Sequence, residues 1–418
     1  MKELKKRLRL AARSLIYGRP SKYYEDETIA FSFKSLVPTL DPDTRNKRLN
    51  IVASSLSRRN AFGGLSTLIS LPLELYKHEL KDQGWSIRFI SMSGEPDAGD
   101  NIALYLAGRI GLEASDIEMY FRREGGAPLP VAKSDVFLGS LWFSQSSAMP
   151  ALRFQQEQFG SAPTPYVALI QDYEPAFHPW SSAYMLAEAS YDIDWPRKVV
   201  VNSRELADFY TKKGHKHQGM AVFEPKLHVD LAKALATTPR PPKQRRILFY
   251  GRPGIRRNCF FATKSALQIW SQTYEGAGNW ELISVGEKHD PFELSGGARL
   301  TVLGKLTLEQ YADELHKAAV GLSLMASPHP SYPPLEMAHF GALTVCNNFE
   351  CKDLSLWHDN LRPVAIADPE HLAEGLVTAC RQFDEDQGVG LSGQSLKPHY
   401  LNESNREELT RIAALIQA

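Results

Sequence analysis

Residues 247–258 read Ile247-Leu-Phe-Tyr-Gly-Arg-Pro-Gly-Ile-Arg-Arg-Asn258. Four apolar residues followed by glycine, proline and charge describe a short buried strand that runs into a loop and opens a helix. Three arginines in such a loop, at the carboxyl end of a strand, are costly to desolvate without an anion, and guanidinium forks match phosphate oxygens two at a time. A solvated basic loop is the alternative. On both sides of this stretch short apolar runs alternate with longer amphipathic ones, the pattern of a parallel sheet with crossover helices. Upstream, strands are expected at Leu49–Ser54, Ile87–Ser91, Val136–Gly139, Tyr166–Gln171 and Lys198–Asn202, with helices at Gly64–Leu80, Ile102–Leu106 and Arg204–Lys213. Downstream, strands follow at Glu281–Val285, Leu300–Leu303, Val320–Leu324 and Leu343–Val345.

Ala236–Arg246 is proline-rich, charged and without periodicity, and reads as a linker. The expected organisation is therefore a basic amphipathic helix over 1–24, an α/β domain over 25–235, the linker over 236–246, a second α/β domain over 247–395 and a C-terminal helix over 396–418. Helix starts are well marked in the second half. Thr307 and Gln310 have capping-box spacing, Asp368-Pro369 is an N-cap followed by proline, and Ser404 with Glu407 forms another box. A cleft between two open α/β domains faces the carboxyl ends of both sheets, where ligands bind in such folds.

Composition narrows the function classes. The 418 residues carry 48 basic and 48 acidic side chains, a balance that disfavours a dedicated nucleic-acid binder. Four cysteines without a CxxC pair suit a reducing compartment and read as core or near-core residues. No apolar run approaches the roughly 18 residues of a membrane span, and the start lacks the apolar core of a signal peptide. A cytoplasmic protein is expected. Residues 1–24 hold eight basic side chains against Glu3, with Leu4, Leu8, Ala11 and Leu15 at helical spacing. This suits a peripheral contact with anionic lipid at the inner face of the membrane, the alternative being a solvated helix packed on the body of the protein.

Common catalytic signatures are absent: there is no Walker loop, no HExxH and no GxSxG. The sole GxGxxG, Gly388–Gly393, follows a helix and not a strand, and reads as a loop. Asp41-Pro-Asp43 and Asp192-Ile-Asp194 have the form of a divalent-cation pair, but neither follows a strand. No metal or other cofactor is expected.

Three places suit a phosphorylated ligand. Gly63-Gly64 follows the first strand and opens a helix, where bare backbone and N–H groups can approach an anion. The Gly251–Asn258 loop is the second. The third is Ser323–Gly341, where a strand ends in a proline-stiffened loop and a helix opens with Glu336 in an apolar turn, placed to accept hydrogen bonds from sugar hydroxyls. The order of these sites resembles the GT-B glycosyltransferases of the glycogen-synthase-like retaining group. More narrowly, Tyr166–Pro175 and Pro330–Phe349 resemble the bacterial polyrhamnan-assembly rhamnosyltransferases of the WsaF type.

That resemblance implies two Rossmann-like domains facing across a cleft, with the C-terminal helix returning toward the first. It implies a metal-independent, retaining transferase using dTDP-β-L-rhamnose and a glycan acceptor, expected to be lipid-linked. Arg252 and Arg257 would neutralise the donor diphosphate, with Arg257 where the family usually has lysine. Gly251 opens that loop, Gly63 and Gly64 would close over the phosphates, Lys305 and Leu306 would read the base, and Glu336 would bind the pentose hydroxyl. Two departures stand out. Pro328 occupies the position of the first glutamate of Glu-x7-Glu, so its sugar contact falls to His329, Ser331 or Tyr332. Gln171-Asp172 stands where the family often has His-Asp; Asp172 or Glu174 could assist acceptor deprotonation, but the resemblance implies that the leaving-group phosphate accepts that proton. A transferase using a UDP- or GDP-sugar is the alternative; a hydrolase employing Asp172 and Glu336 would have no use for the arginine loop.

Overall fold

The computed structural model describes residues 34–42, 47–60, 63–236, 241–402 and 405–418. The basic segment 1–24, Asp43 and Ser404 lie outside them.

The first half of the chain runs β1 (Pro38–Leu40), β2 (Lys47–Ala53), α1 (Gly63–Leu75), β3 (Trp85–Ser91), α2 (Ile102–Arg109), β4 (Ile117–Phe121), β5 (Leu129–Val131), β6 (Asp135–Gly139), α3 (Trp142–Phe159), β7 (Tyr166–Ile170), α4 (Ser182–Ser190), β8 (Arg197–Asn202), α5 (Arg204–Lys213) and β9 (Gly219–Phe223). Seven of these strands form one sheet in the order β4-β3-β2-β6-β7-β8-β9, and every neighbouring pair is parallel. β1 and β5 make a separate two-stranded parallel pair. The sheet is buried on both faces: Leu49, Ile51, Phe89 and Val200 lie in one core, and Val52, Ile90, Phe137 and Val199 in the other. Strands covered on both sides by crossover helices must be apolar throughout, which is why they read as unbroken runs.

The second half runs α6 (Val229–Leu235), β10 (Gln244–Gly251), α7 (Phe260–Thr273), β11 (Glu281–Gly286), β12 (Arg299–Gly304), α8 (Leu308–Lys317), β13 (Ala318–Leu322), α9 (Tyr332–His339), β14 (Leu343–Asn347), β15 (Leu361–Val364), α10 (Pro369–Glu385) and α11 (Arg406–Gln417). Its six strands form a parallel sheet in the order β12-β11-β10-β13-β14-β15. Both sheets reverse strand order once, between β2 and β6 and between β10 and β13. In open α/β sheets the crevice at that reversal, beyond the strands' carboxyl ends, is where ligands bind.

Several boundaries move. β10 begins at Gln244, inside the stretch expected to be linker, because its charges are paired: Arg245 with Asp384, and Arg246 with Glu281 and Glu314. The first domain ends before residue 235, since Leu227, Leu231 and Leu235 pack in the second domain's core with Leu248 and Leu315. β13 ends at Leu322, two residues early; Ser323 and Leu324 remain buried but have left the strand. The Thr307 capping box and the Asp368 cap are both formed. α11 starts at Arg406 beside Asn405, and its Leu409, Ile412 and Ile416 join Leu49, Ile69 and Leu73 in the first domain's core. The C-terminal helix thus returns to the first domain. No helix among the described residues is long and apolar enough to cross a membrane.

Candidate active site

A cleft of about 680 Å³ opens between the carboxyl ends of the two sheets. Of the predicted residues, Gly63, Gly64 and Asp172 line it from the first domain. From the second come Arg252, Arg257, Lys305, Leu306, His329, Ser331, Tyr332 and Glu336. Gly251 does not line the cleft. A Cβ there would come within 2.3 Å of the Ser284 hydroxyl, so this glycine lets the ends of β10 and β11 approach each other.

The first-domain wall is built at the strand reversal. β2 leads to the exposed Gly63-Gly64 turn at the start of α1, and β6 leads to Ser140. Gln171, just past β7, ties the two together: its side-chain amide donates to the Gly64 carbonyl at 2.8 Å and to the Ser140 hydroxyl at 2.7 Å. Glu174 sits deeper, 4% exposed, and its carboxylate accepts the Trp142 backbone N–H at 2.6 Å. Burial pushes its pKa up to about 8, so it is largely un-ionised at neutral pH.

On the opposite wall, the loop after β10 presents its arginines. Arg252 Nε donates to Glu287 at 3.2 Å, and Glu287 also accepts the Gly254 N–H at 2.9 Å. Arg257 pairs across the cleft with Asp172, and its guanidinium lies 3.8 Å from the centroid of the Phe177 ring. Arg256, the third arginine, is exposed away from the cleft. Asp172 is fully engaged: besides Arg257 it accepts the Ser327 hydroxyl at 2.5 Å and the Tyr173 N–H at 2.8 Å. Each cleft arginine is thus held by a carboxylate, Arg252 by Glu287 and Arg257 by Asp172.

The loop from β13 to α9 is braced from beneath. Asn347 accepts the Met325 N–H at 2.8 Å and donates back to the Met325 carbonyl at 3.2 Å. Lys352, 1% exposed, donates to the same carbonyl at 2.7 Å; burial lowers its pKa to about 8. The loop delivers His329, whose Nδ1 accepts the Ser331 N–H at 3.0 Å. That bond leaves the proton on Nε2, which is buried and has no hydrogen-bond partner. Burial lowers the pKa of His329 to about 3, so the ring is neutral and carries one unpartnered, buried N–H in a residue that lines the cleft. Ser331 adopts φ +71° at the cap of α9, a left-handed backbone held by that same contact. Glu336 then accepts the Tyr311 hydroxyl at 2.9 Å, and burial lifts its pKa to about 7.

Sequence reading did not find Tyr311, Glu287, Gln171 as a tie, or Phe177. Each partners a residue that was found, but from 25 to 107 positions away or across the domain boundary. Of the two Asp-x-Asp pairs, Asp41 bonds Arg48 at 2.9 Å and Asp192 lies 3.4 Å from His215 Nδ1, while Asp43 lies outside the described residues. Among the described residues no cluster of three or more His, Cys, Asp or Glu side chains is placed to hold a metal ion.

This architecture is shared with solved structures of low sequence identity. TarM superposes with a TM-score of 0.55 at 8% identity, covering 91% of this chain and 100% of that one. Sucrose-phosphate synthase from Thermosynechococcus elongatus gives 0.52 at 13%, covering 89% and 97%. The pneumococcal O-GlcNAc transferase GtfA, solved with UDP and GlcNAc, gives 0.52 at 8%, covering 89% and 99%. Two parallel-stranded domains, a cleft at both strand reversals and a helix returning to the first domain define the GT-B fold. The chain belongs to the WsaF family: residues 48–204 match the WsaF N-terminal domain and residues 245–377 the WsaF C-terminal domain, more than half of the chain between them. It is also 34% identical over 181 residues to the O-antigen biosynthesis protein RfbC of Myxococcus xanthus, a match spanning 43% of this chain and 13% of that much longer one.

Proposed function

We propose that this protein is a rhamnosyltransferase that moves L-rhamnose from dTDP-β-L-rhamnose onto a growing bacterial surface polysaccharide of the S-layer glycan or O-antigen type, with retention and without a metal. One observation carries the reading: Arg252 and Arg257 face the bare Gly63-Gly64 turn across a cleft located at the reversal of both sheets. A diphosphate there replaces Glu287 and Asp172 as the arginines' partner, and the charge that develops on it as the glycosidic bond breaks is met by groups already in place. Glu336, oriented by Tyr311, binds the pentose 3′-hydroxyl, and the Lys305-Leu306 backbone meets the base. His329 offers its neutral N–H, a hydrogen-bond donor only, to a sugar oxygen.

In the transfer, the acceptor hydroxyl oxygen bonds to rhamnose C1 while the bond from C1 to the β-phosphate oxygen breaks. dTDP leaves with the electron pair, and the hydroxyl proton passes to the departing phosphate. Closure of the cleft keeps water from taking the acceptor's place. A lipid-linked glycan as acceptor, brought near by contact of residues 1–24 with the membrane, completes the proposal.

The test is thermal stabilisation by dTDP, UDP and GDP, each with and without EDTA, followed by turnover of dTDP-rhamnose. At about 100 times its dissociation constant a ligand adds roughly 2.7 kcal/mol. A shift with dTDP that survives EDTA supports the reading, a shift with UDP or GDP alone moves the donor, and no shift with any of the three overturns it.

A further inference from the structure

Trp180 is 93% exposed, the most exposed large apolar side chain among the described residues, and no ring or cation lies against it there. It stands on a stiff mount. Pro175 begins the 3-10 turn Glu174–Phe177, Pro179 precedes the tryptophan, and the Ser181 hydroxyl then caps α4 by accepting the Tyr184 N–H at 3.2 Å. Beneath, Ala187 of α4 packs on Trp142 and Phe143. The mount is continuous with the cleft, since Phe177 lines the cleft wall and is stacked on Arg257. Only His178 and Pro179 separate Phe177 from Trp180, so their Cα atoms, three steps along the chain, are at most roughly 11 Å apart.

We propose that Trp180 is a stacking platform for the acceptor, binding a neutral saccharide unit one or more residues behind the hydroxyl that reacts. A large aromatic face on a proline-stiffened mount, with only two side-chain torsions to order, suits the apolar face of a sugar ring. A membrane surface fits the same aromatic less well. Residues 171–196 contain no lysine or arginine, so the segment around Trp180 offers an anionic lipid headgroup no cation, a lack that does not matter to an uncharged glycan. The choice of a glycan rests on the glycosyl-transfer reading of the cleft.

The experiment is calorimetric binding of a rhamnose tetrasaccharide to the full chain and to Trp180→Ala and Trp180→Phe. The alanine variant is expected to bind at least about tenfold more weakly, the phenylalanine variant within about threefold of wild type, with melting temperature and the thermal shift by dTDP unchanged in both. Equal binding by the alanine variant, or no binding by the wild type, overturns the proposal. So does a Trp180→Ala variant that loses binding to phosphatidylglycerol–phosphatidylethanolamine vesicles and keeps the tetrasaccharide, which would make the platform a lipid contact. If the tetrasaccharide depends on Trp180 while dTDP produces no shift in the wild type, the platform stands and the donor reading falls.

Discussion

Glu174 and Glu336 are acids kept from water on facing walls of the cleft, with pKa values lifted by burial to about 8 and about 7. In the unfolded chain both titrate near roughly 4.3. Between these values the folded protein keeps protons that the unfolded chain has released, so stability falls as pH rises from about 4 to about 8, by up to ~1.4 kcal/mol per pH unit for each group. Glu174→Gln, which can still accept the Trp142 N–H, is expected to flatten that slope when urea unfolding is compared at about pH 5 and about pH 8. The lone N–H of His329 leads to a second expectation. His329→Leu removes that donor and also the Nδ1 acceptor that holds the Ser331 N–H, so affinity for dTDP-rhamnose is expected to drop about tenfold, more than affinity for dTDP does, and His329→Gln, which keeps a donor, restores part of the loss. At this scale the sequence displayed the charges that meet a ligand, because an arginine loop or an acid in an apolar turn stands out locally. It did not display what holds them: Tyr311 behind Glu336 and Glu287 behind Arg252 are brought in by the fold from 25 and 35 residues away.

Among the elements, those legible in advance were the strands covered on both faces and the helices with capping signals. α3 escaped because Ser144, Gln145, Ser147 and Gln155 are buried in it and Pro150 lies inside it, so its inward face is half polar and carries no apolar period. Gln155 shows how such a face is tolerated: its side-chain amide donates to the carbonyls of Ala132, Lys133 and Asp135. The junction of β10 and β11 offers a test of packing. Gly251→Ala would set a methyl group against Ser284, whose hydroxyl is held at 2.7 Å from His289 Nε2 and cannot retreat freely. A loss of about 1–3 kcal/mol is expected in denaturant unfolding, together with weaker dTDP binding as the arginine loop shifts.

At the scale of the whole molecule, the two sheets are joined by more than the chain. Asp172 of the first domain holds both Arg257 and Ser327 of the second. Asp172→Asn removes the charge that competes with a diphosphate for Arg257. dTDP is therefore expected to bind several-fold more tightly to this variant, as read by calorimetry, while transfer slows because the closed arrangement loses its tie. Two α/β domains could be read from the alternation of strands and helices, but not where the first one ends, since nothing local marks Leu231 and Leu235 as belonging to the second core. Ile412→Asp places a charge in the first domain's core from the far end of the chain, and a fall in melting temperature of that domain, by several kcal/mol of stability, is expected. That return of α11 also sets an order of assembly. A chain emerging from the ribosome presents residues 47–223 first, but their core stays open on one side until Leu409, Ile412 and Ile416 have followed. The second domain's core is built from residues 227–400, so the residues that finish the first domain's core are made after those of the second.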